Sequence, residues 1–138
     1  MKPHIEEARR ALRLADRDAK AFSVLAASSD VHISIVCFHA QQSVEKTLKA
    51  VLYSRNIEFR RTHNLTDLAF ILREQGMDIP LSDTQLLKLN PFAVIFRYDE
   101  IDVPSLTPDE IAGWIIDMLK WADEQINVVE NTEGTNCD

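Results

Sequence analysis

The sequence predicts an all-α, up-and-down bundle of four to five antiparallel helices. Apolar residues recur every three or four positions along most of the 138-residue chain, which is the period of a helix that buries one face. Only 3 Gly and 5 Pro are present, too few for the many turns of an all-β chain. With 46% hydrophobic and 27% charged residues, the composition is that of one globular domain.

The first half of the chain is predicted to form two long helices. Residues 5–27 carry one apolar stripe, and residues 32–55 carry a second, broader one. Ser28, Ser29 and Asp30 interrupt the pattern and are candidate caps for the second helix. Because so few residues join the two helices, they are predicted to lie antiparallel. The polar segment 56–63 is predicted to be a loop.

Capping signals mark the remaining helices. Asn64 is placed to cap the third helix, and Gly76 to close it. The spacing from Ser82 to Gln85 is that of a capping box that opens a short fourth helix. Thr107 precedes Pro and is followed by Glu three residues on, which predicts the start of the fifth helix there.

Two further segments complete the predicted domain. Pro91 interrupts the fourth helix, because it lacks an amide proton and restricts the residue before it. The apolar run 92–96 is predicted to resume that helix after a kink. Residues 130–138 have nothing to bury and are expected to form a disordered acidic tail, so the bundle is expected to span residues 1–129.

Composition and charge argue against several functional classes. No apolar run approaches the roughly 18–20 residues of a membrane span, and the start lacks a signal peptide, so a cytoplasmic protein without a membrane partner is expected. The 2 Cys and 4 His have no zinc-binding spacing, and neither a metal nor a cofactor is expected. Residues 1–75 carry 12 Lys and Arg against 9 Asp and Glu, whereas residues 76–138 carry 3 against 13. This imbalance argues against a general nucleic-acid coat protein but leaves a basic surface in the first half.

Two clusters of polar residues in the first half are candidates for a site. On the predicted second helix, Gln42, Glu45 and Lys46 lie three and four residues apart and share a face. These side chains either line a site or cap the ends of neighbouring helices. In the loop before the third helix, Arg61 and His63 can bind an anion, or His63 can pin the loop by bonding a carbonyl.

A third cluster follows the apolar run 92–96. Arg97 and Tyr98 come directly after this run and precede an acidic segment. A guanidinium binds phosphate through paired hydrogen bonds, and a tyrosine ring stacks on a base or donates its hydroxyl. Alternatively, Arg97 forms an ion pair with Asp99, Glu100 or Glu45.

The three clusters, in this order, resemble the HEPN family, the higher eukaryote and prokaryote nucleotide-binding domains. The matching stretches are residues 37–52, Arg-Thr-His-Asn-Leu at 61–65 and Phe-Arg-Tyr at 96–98, within a resemblance that spans roughly residues 5–128. The resemblance implies a helical bundle, usually a symmetric homodimer, with a polar cleft between the second and fourth helices. It assigns ligand binding to Arg97, Tyr98, Glu45, Lys46, Gln42, His63 and Arg61.

The resemblance also implies a choice between two activities. One group of the family cleaves RNA without a metal, using an Arg followed four to six residues later by a His. The other group lacks this pair and binds a nucleotide or a partner, often a small nucleotidyltransferase in prokaryotic toxin–antitoxin or stress systems. Here no His follows Arg97, since the last in the chain is His63, and RNA cleavage needs a proton carrier with a pKa near neutrality. The sequence therefore predicts the non-catalytic module, with a nucleotide or RNA as ligand and a nucleotidyltransferase as partner.

Two alternatives stay open. The first is a metal-independent endoribonuclease, a toxin, in which Arg97 stabilises the developing charge and His63 or Tyr98 moves the proton. The second is a purely structural interaction protein that neutralises a partner by surface contact. The two differ in what they require of the cleft, because only the ribonuclease needs its side chains to be accessible to RNA.

Overall fold

The computed structural model describes residues 2–93 and 106–135, and within them five α-helices follow one another without a strand. The helices are α1 (Pro3–Ala26), α2 (Ile33–Ser54), α3 (Leu65–Glu74), α4 (Asp83–Leu89) and α5 (Pro108–Thr135). A 3₁₀ turn over Asn90–Ala93 follows α4 directly. The predicted all-α bundle is thus confirmed. None of the helices in these two ranges combines the length and the apolar composition that a membrane crossing requires.

The antiparallel helices α1 and α2 form the central pair of the bundle. The two helices pack along most of their length, and α5 packs against both. The buried face of α1 is rich in alanine, with Ala8, Ala11 and Ala15 all buried. These small side chains let the two helices approach closely, so that Ser43 Oγ of α2 donates a hydrogen bond of 2.9 Å to the Ala15 carbonyl.

A continuous apolar core joins all five helices. The long face of α2 lies at its centre, and α3 and α4 cover part of that face with buried leucines such as Leu68 and Leu86. Phe92, from the 3₁₀ turn, is fully buried in the same core, and α5 adds Trp114 and Trp121. Burial of so many large side chains is the dominant favourable term in the stability of such a bundle.

The Cys37 thiol lies in this core and has no exposed surface. Burial raises the pKa of Cys37 to about 11, because the thiolate would lose its hydration. The thiol therefore stays protonated at neutral pH and packs as a small apolar group. The other cysteine, Cys137, lies outside the described residues.

The helix ends confirm most of the capping predictions. Asn64 Oδ1 accepts hydrogen bonds from the backbone N–H groups of the first turn of α3. Ser82 and Gln85 form the reciprocal capping box of α4, and Thr107 Oγ1 accepts from the third residue of α5. Gly76 follows α3 with a φ of +83°, the left-handed conformation that closes a helix.

Two predictions about helix ends are wrong. The cap of α2 is His32, whose Nδ1 accepts from the Ser34 backbone N–H at 3.1 Å, and not the Ser-Ser-Asp segment before it. The predicted disorder of the tail fails for residues 130–135, because α5 continues to Thr135. The side chains of Glu130 and Glu133 hold that extension against α1, through Arg9 and His4 respectively. Residues 136–138 lie outside the described residues.

The break after α4 occurs at the predicted place. The α-helix ends at Leu89, and the 3₁₀ turn carries the chain through Pro91 to Ala93. A proline in this position removes a backbone donor, and the tighter turn accommodates that loss. The rest of the predicted helix resumption, residues 94–96, lies outside the described residues.

Candidate ligand-binding site

A buried carboxylate on α2 is the centre of the candidate site. Glu45 is only 3% exposed. Its Oε1 accepts from Gln41 Nε2 at 3.1 Å, and its Oε2 accepts from Lys49 Nζ at 3.0 Å. The ring of His63 adds a third partner, with Nδ1 at 3.0 and 3.2 Å from the two carboxylate oxygens. The carboxylate is thus satisfied on both oxygens, as a buried charge must be.

One stripe of α2 supplies most of these partners. Gln41, Glu45 and Lys49 lie four residues apart, so their side chains follow one another along the same face of the helix. The second amide hydrogen of Gln41 goes to the His63 carbonyl, at 3.0 Å. Gln42 donates to the Gln41 side-chain oxygen at 2.7 Å, which holds that amide in place. Side chain and main chain of His63 are therefore both fixed to α2.

The start of α3 is fixed from the opposite side by the turn after α4. Asn90 Oδ1 accepts from the Leu65 backbone N–H at 2.8 Å, and Asn90 Nδ2 donates to Asn64 Oδ1 at 3.2 Å. The break at Pro91 thus places an amide side chain against the residues that follow His63. As a result, α2, the loop before α3 and the 3₁₀ turn meet at one point.

The geometry of His63 leaves part of its ring accessible. A carboxylate only accepts hydrogen bonds, so the Nδ1 that faces Glu45 carries the hydrogen. The side chain is nevertheless 61% exposed. A carboxylate on Nδ1 orients the ring and leaves Nε2 free to bind a ligand or to take part in proton transfer, the arrangement used by catalytic histidines.

A cleft of about 870 Å³ adjoins this cluster, and Lys49 belongs to both. We call it the Lys49 cleft; it lies between the start of α1, the end of α2 and the loop before α3. Its wall contains basic, acidic and aromatic side chains: His4, Lys49, Arg61, Glu7, Glu58, Tyr53 and Phe59. The two aromatic rings contact one another, with their centroids 5.5 Å apart. Arg61 is exposed and forms no ion pair within residues 2–93 and 106–135.

The structure distributes the candidate residues from the sequence over three places. Glu45 and His63 are in direct contact, and Gln42 is connected to them through the side chain of Gln41. Arg61 lies in the adjoining Lys49 cleft. Lys46 is directed elsewhere, since its ammonium binds Asp18 Oδ2 of α1 at 2.5 Å. The remaining two candidates, Arg97 and Tyr98, lie outside the described residues.

The predicted ligand-binding residues left out two members of the cluster, Gln41 and Lys49. The spacing of four residues on either side of Glu45 was the available signal.

No cluster of three or more His, Cys, Asp or Glu side chains suited to a metal is found in residues 2–93 and 106–135.

Comparison with known proteins decides the family. The model of the HEPN domain family matches residues 6–131. The chain belongs to the HEPN family. The crystal structure of an archaeal HEPN homologue superposes with a TM-score of 0.63 at 22% sequence identity, covering 91% of this chain and 99% of that one. A search of curated proteins found no match.

Membership of the family confirms the resemblance drawn from the three clusters. The solved HEPN homologue supports the fold alone, because its sequence identity to this chain is low. The buried Glu45, the His63 ring and the Lys49 cleft are observations on this HEPN domain itself, and the functional proposal depends on them.

Proposed function

We propose that this HEPN domain binds a phosphate-bearing ligand, a nucleotide or an RNA strand, in the Lys49 cleft and holds it without cleaving it. The observation that carries the proposal is that Lys49 and Arg61 line one cleft, while the exposed ring of His63 contacts the same Glu45 carboxylate as Lys49. These three side chains come from a rigid helix and from a loop that is fixed to it. A site of this kind needs little rearrangement to bind its ligand.

The chemistry of the cleft fits a nucleotide. Arg61 has its guanidinium available for paired hydrogen bonds to phosphate oxygens. Tyr53 and Phe59 offer aromatic surface for a base. Glu7 and Glu58 carry acceptors that suit ribose hydroxyls. Arg97 and Tyr98, which the family resemblance assigns to the ligand, belong to the same proposal.

A direct test compares two neighbouring arginines. Arg61 lines the cleft, whereas Arg60 points to Asp67, with 3.7 Å between their charged atoms. We expect Arg61→Ala to weaken binding of a fluorescent nucleotide or a short RNA by roughly tenfold, the typical loss of one charge-assisted contact, and Arg60→Ala to leave it unchanged. Arg97→Ala is expected to abolish binding while the helical circular dichroism stays the same.

Fluorescence anisotropy with the two probes in parallel distinguishes nucleotide from RNA. Equal losses of affinity in Arg60→Ala and Arg61→Ala would contradict the assignment of the cleft and indicate non-specific charge attraction. If the unaltered chain bound neither probe, the structural interaction protein would become the better description, and surface substitutions outside the cleft would be the ones that break its complex.

A metal-independent ribonuclease is the second candidate, and the contact between Glu45 and His63 favours it. This pair presents an oriented imidazole at the surface, which is the part that the missing histidine after Arg97 would otherwise supply. Under the first proposal, structured RNA stays intact in excess EDTA. Cleavage by the unaltered chain that is lost in both His63→Ala and Arg97→Ala would establish the ribonuclease instead, and a gel of the products shows which occurs.

The partner is a separate part of the proposal. The family resemblance implies a small nucleotidyltransferase beside the HEPN domain in a prokaryotic toxin–antitoxin or stress system. A domain that holds a nucleotide without acting on it fits such a companion role. A nucleotidyltransferase gene adjacent to this one in the genome would support this part of the proposal.

A further inference from the structure

A groove between α1 and α5 shares no lining residue with the Lys49 cleft. Its volume is about 470 Å³, and Leu12 of α1 and Leu119 of α5 give it an apolar lining. Packed helices lie about 8–10 Å apart, so the groove between two of them is wide enough to seat a third helix. We call it the α1–α5 groove; its other lining residues, all from α1, are Arg9, Arg13, Asp16, Arg17 and Lys20.

The rim of this groove on α1 carries unpaired positive charge. Arg9 and Lys20 form ion pairs, with α5 and with Asp16 respectively. Arg13 and Arg17 are exposed and have no ion-pair partner within residues 2–93 and 106–135. Because they are four residues apart, their side chains follow one another along one face of the helix. They therefore offer two adjacent sites for carboxylates, each with a guanidinium that binds through paired hydrogen bonds.

One end of the groove continues into an apolar depression. The depression measures about 530 Å³, and Lys20 and Leu119 line both it and the groove. Val24 of α1 and Ile116 of α5 also line it, and they are 71% and 63% exposed. Adjoining apolar side chains at the surface indicate a protein interface more often than isolated ones do.

The other end of the basic rim is acidic. A third depression, near the start of α1, is lined by Arg9 and Arg13 together with the exposed Glu6 and Glu7. The basic rim is thus confined to the stretch from Arg9 to Lys20, which rises roughly 16 Å along the helix. From its start to its end, this side of α1 changes from acidic to basic to apolar.

We propose that the α1–α5 groove binds an acidic amphipathic helix of a partner protein. Such a helix places two carboxylates, four residues apart, against Arg13 and Arg17. Its apolar side chains, one turn further along, enter the depression beside Val24 and Ile116. The apolar depression lies at only one end of the basic rim, so the charges and the apolar contacts together fix the direction of the bound helix. This inference does not depend on the function proposed for the Lys49 cleft.

An RNA strand or a membrane surface fits these features less well. The apolar depression offers a phosphate backbone no contact, and the basic rim beside it is short. A bilayer presents a broad anionic surface, which a concave groove does not contact. The net charge of −7 on the whole chain also opposes its approach to either polyanion.

The test uses a fluorescent synthetic helical peptide as the probe. The peptide carries two Glu four residues apart and, one turn further along the same face, two Leu four residues apart, with Ala and Gln at its other positions. Fluorescence anisotropy with the full chain is expected to show saturable binding. A control peptide with Gln in place of both Glu is expected to bind at least about tenfold more weakly, because its charge-assisted contacts are lost.

Charge exchange shows whether the peptide lies in the groove. The variant with Arg13→Glu and Arg17→Glu is expected to lose the acidic peptide and to bind a peptide with Lys in place of both Glu, which the unaltered chain does not bind. Arg60→Glu, at an 84% exposed arginine in the loop before α3, is expected to leave binding of the acidic peptide unchanged.

A pair of apolar substitutions tests the other end of the groove. Ile116→Ser is expected to weaken binding of the acidic peptide about tenfold, because a leucine of the peptide loses its contact. Phe70→Ser, at a side chain of similar exposure (62%) on α3, is expected to have no effect. Circular dichroism shows whether each variant keeps its helices.

Failure of the acidic peptide to bind with a Kd below about 100 μM would overturn the proposal. So would an equal loss in Arg60→Glu, or a lysine peptide that does not bind the charge-exchanged variant. An RNA oligomer or an anionic vesicle that binds in place of the peptide, and is lost on Arg13→Glu with Arg17→Glu, would assign the groove to that ligand instead. Sedimentation that shows a second copy of the chain excluding the peptide would also contradict it.

Discussion

At the scale of single residues, Glu45 holds the candidate site together. Its carboxylate is buried, and it bonds an ammonium from its own helix and an imidazole from the next loop. A buried carboxylate is costly unless cations and donors compensate it. Lys49, with only 17% of its side chain exposed, needs the negative charge of Glu45 to compensate its own positive charge. The position of His63 is thus a consequence of how the charge on α2 is neutralised.

Glu45→Gln tests this dependence. The amide has the same size but removes the negative charge, which leaves Lys49 nearly buried without a counter-charge. We expect a loss of about 2 kcal/mol in the free energy of unfolding, below the full cost of breaking a fully buried pair because Lys49 retains some access to water. Urea denaturation followed by circular dichroism measures it.

A matched control is Asp67→Asn, which removes an exposed carboxylate that pairs with Arg60 at 3.7 Å. That change is expected to cost less than about 1 kcal/mol. Similar losses in the two variants would mean that the Glu45 cluster contributes no more than a surface ion pair.

The same residues show where sequence reasoning succeeds and where it ends. The amphipathic pattern of α2 and the basic loop were enough to single out Glu45 and His63 as candidates. Lys46 was included in the predicted site and Lys49 was not, but Lys46 pairs with Asp18 of α1, and Lys49 is the lysine that pairs with Glu45. The four-residue spacing from Glu45 to Lys49 is visible in the sequence, whereas the pairing of Lys46 with Asp18 depends on a neighbouring helix.

At the scale of helices, the ends of α2 and α3 share one geometry. Each ends in a residue with positive φ, Asn56 at 56° and Gly76 at 83°. In both, the next residue donates back across the turn, Ile57 to the Leu52 carbonyl and Met77 to the Leu72 carbonyl. This is the Schellman motif. Gly76 was recognisable from sequence because glycine favours this conformation, whereas asparagine in a polar loop gave no comparable signal.

Substitution by alanine is expected to change the stability in opposite directions at two glycines. Gly76→Ala is expected to destabilise the chain by about 1–2 kcal/mol, because alanine is strained at positive φ. Gly113→Ala, inside α5, is expected to stabilise it by about 0.5–1 kcal/mol, because alanine is the better helix former. A Cβ at either position meets no atom within 4 Å, so the difference is conformational and not steric.

Thermal and urea unfolding of the two variants gives the signs directly. Destabilisation by both substitutions would contradict the interior position of Gly113 in a helix. Stabilisation by both would contradict the left-handed end of α3.

At the scale of the whole molecule, the first and last helices depend on one another. Arg9 of α1 bonds Asp123, Asn127 and Glu130 of α5. Burial alone would lower the pKa of Arg9, but the hydrogen bonds and charges of Glu130 and Asp123 outweigh it and raise the pKa. The helical state of residues 130–135, which composition did not predict, has this cause: the partners of the acidic residues lie on α1, more than a hundred positions away in sequence.

The bundle was therefore predictable to the extent that its information is local. Period, caps and the proline break predicted all five described helices and most of their ends. The cap on α2 was mispredicted because a histidine, a less usual capping residue, took the place of serine and aspartate. The length of α5 required contacts between helices, whereas Lys49 was missed although its four-residue spacing from Glu45 is a local signal.

The contact between His4 and Glu133, at 2.7 Å, has a topological consequence. It brings the first turn of α1 beside the last turns of α5, so the start and the end of the described helices lie at the same end of the bundle. When the two ends of a domain lie this close together, the order of its helices along the chain can be changed by circular permutation. A circular permutant that joins these two ends and opens the chain between α3 and α4 is expected to keep the same described helices. A domain fused to either end would lie at this one end of the bundle.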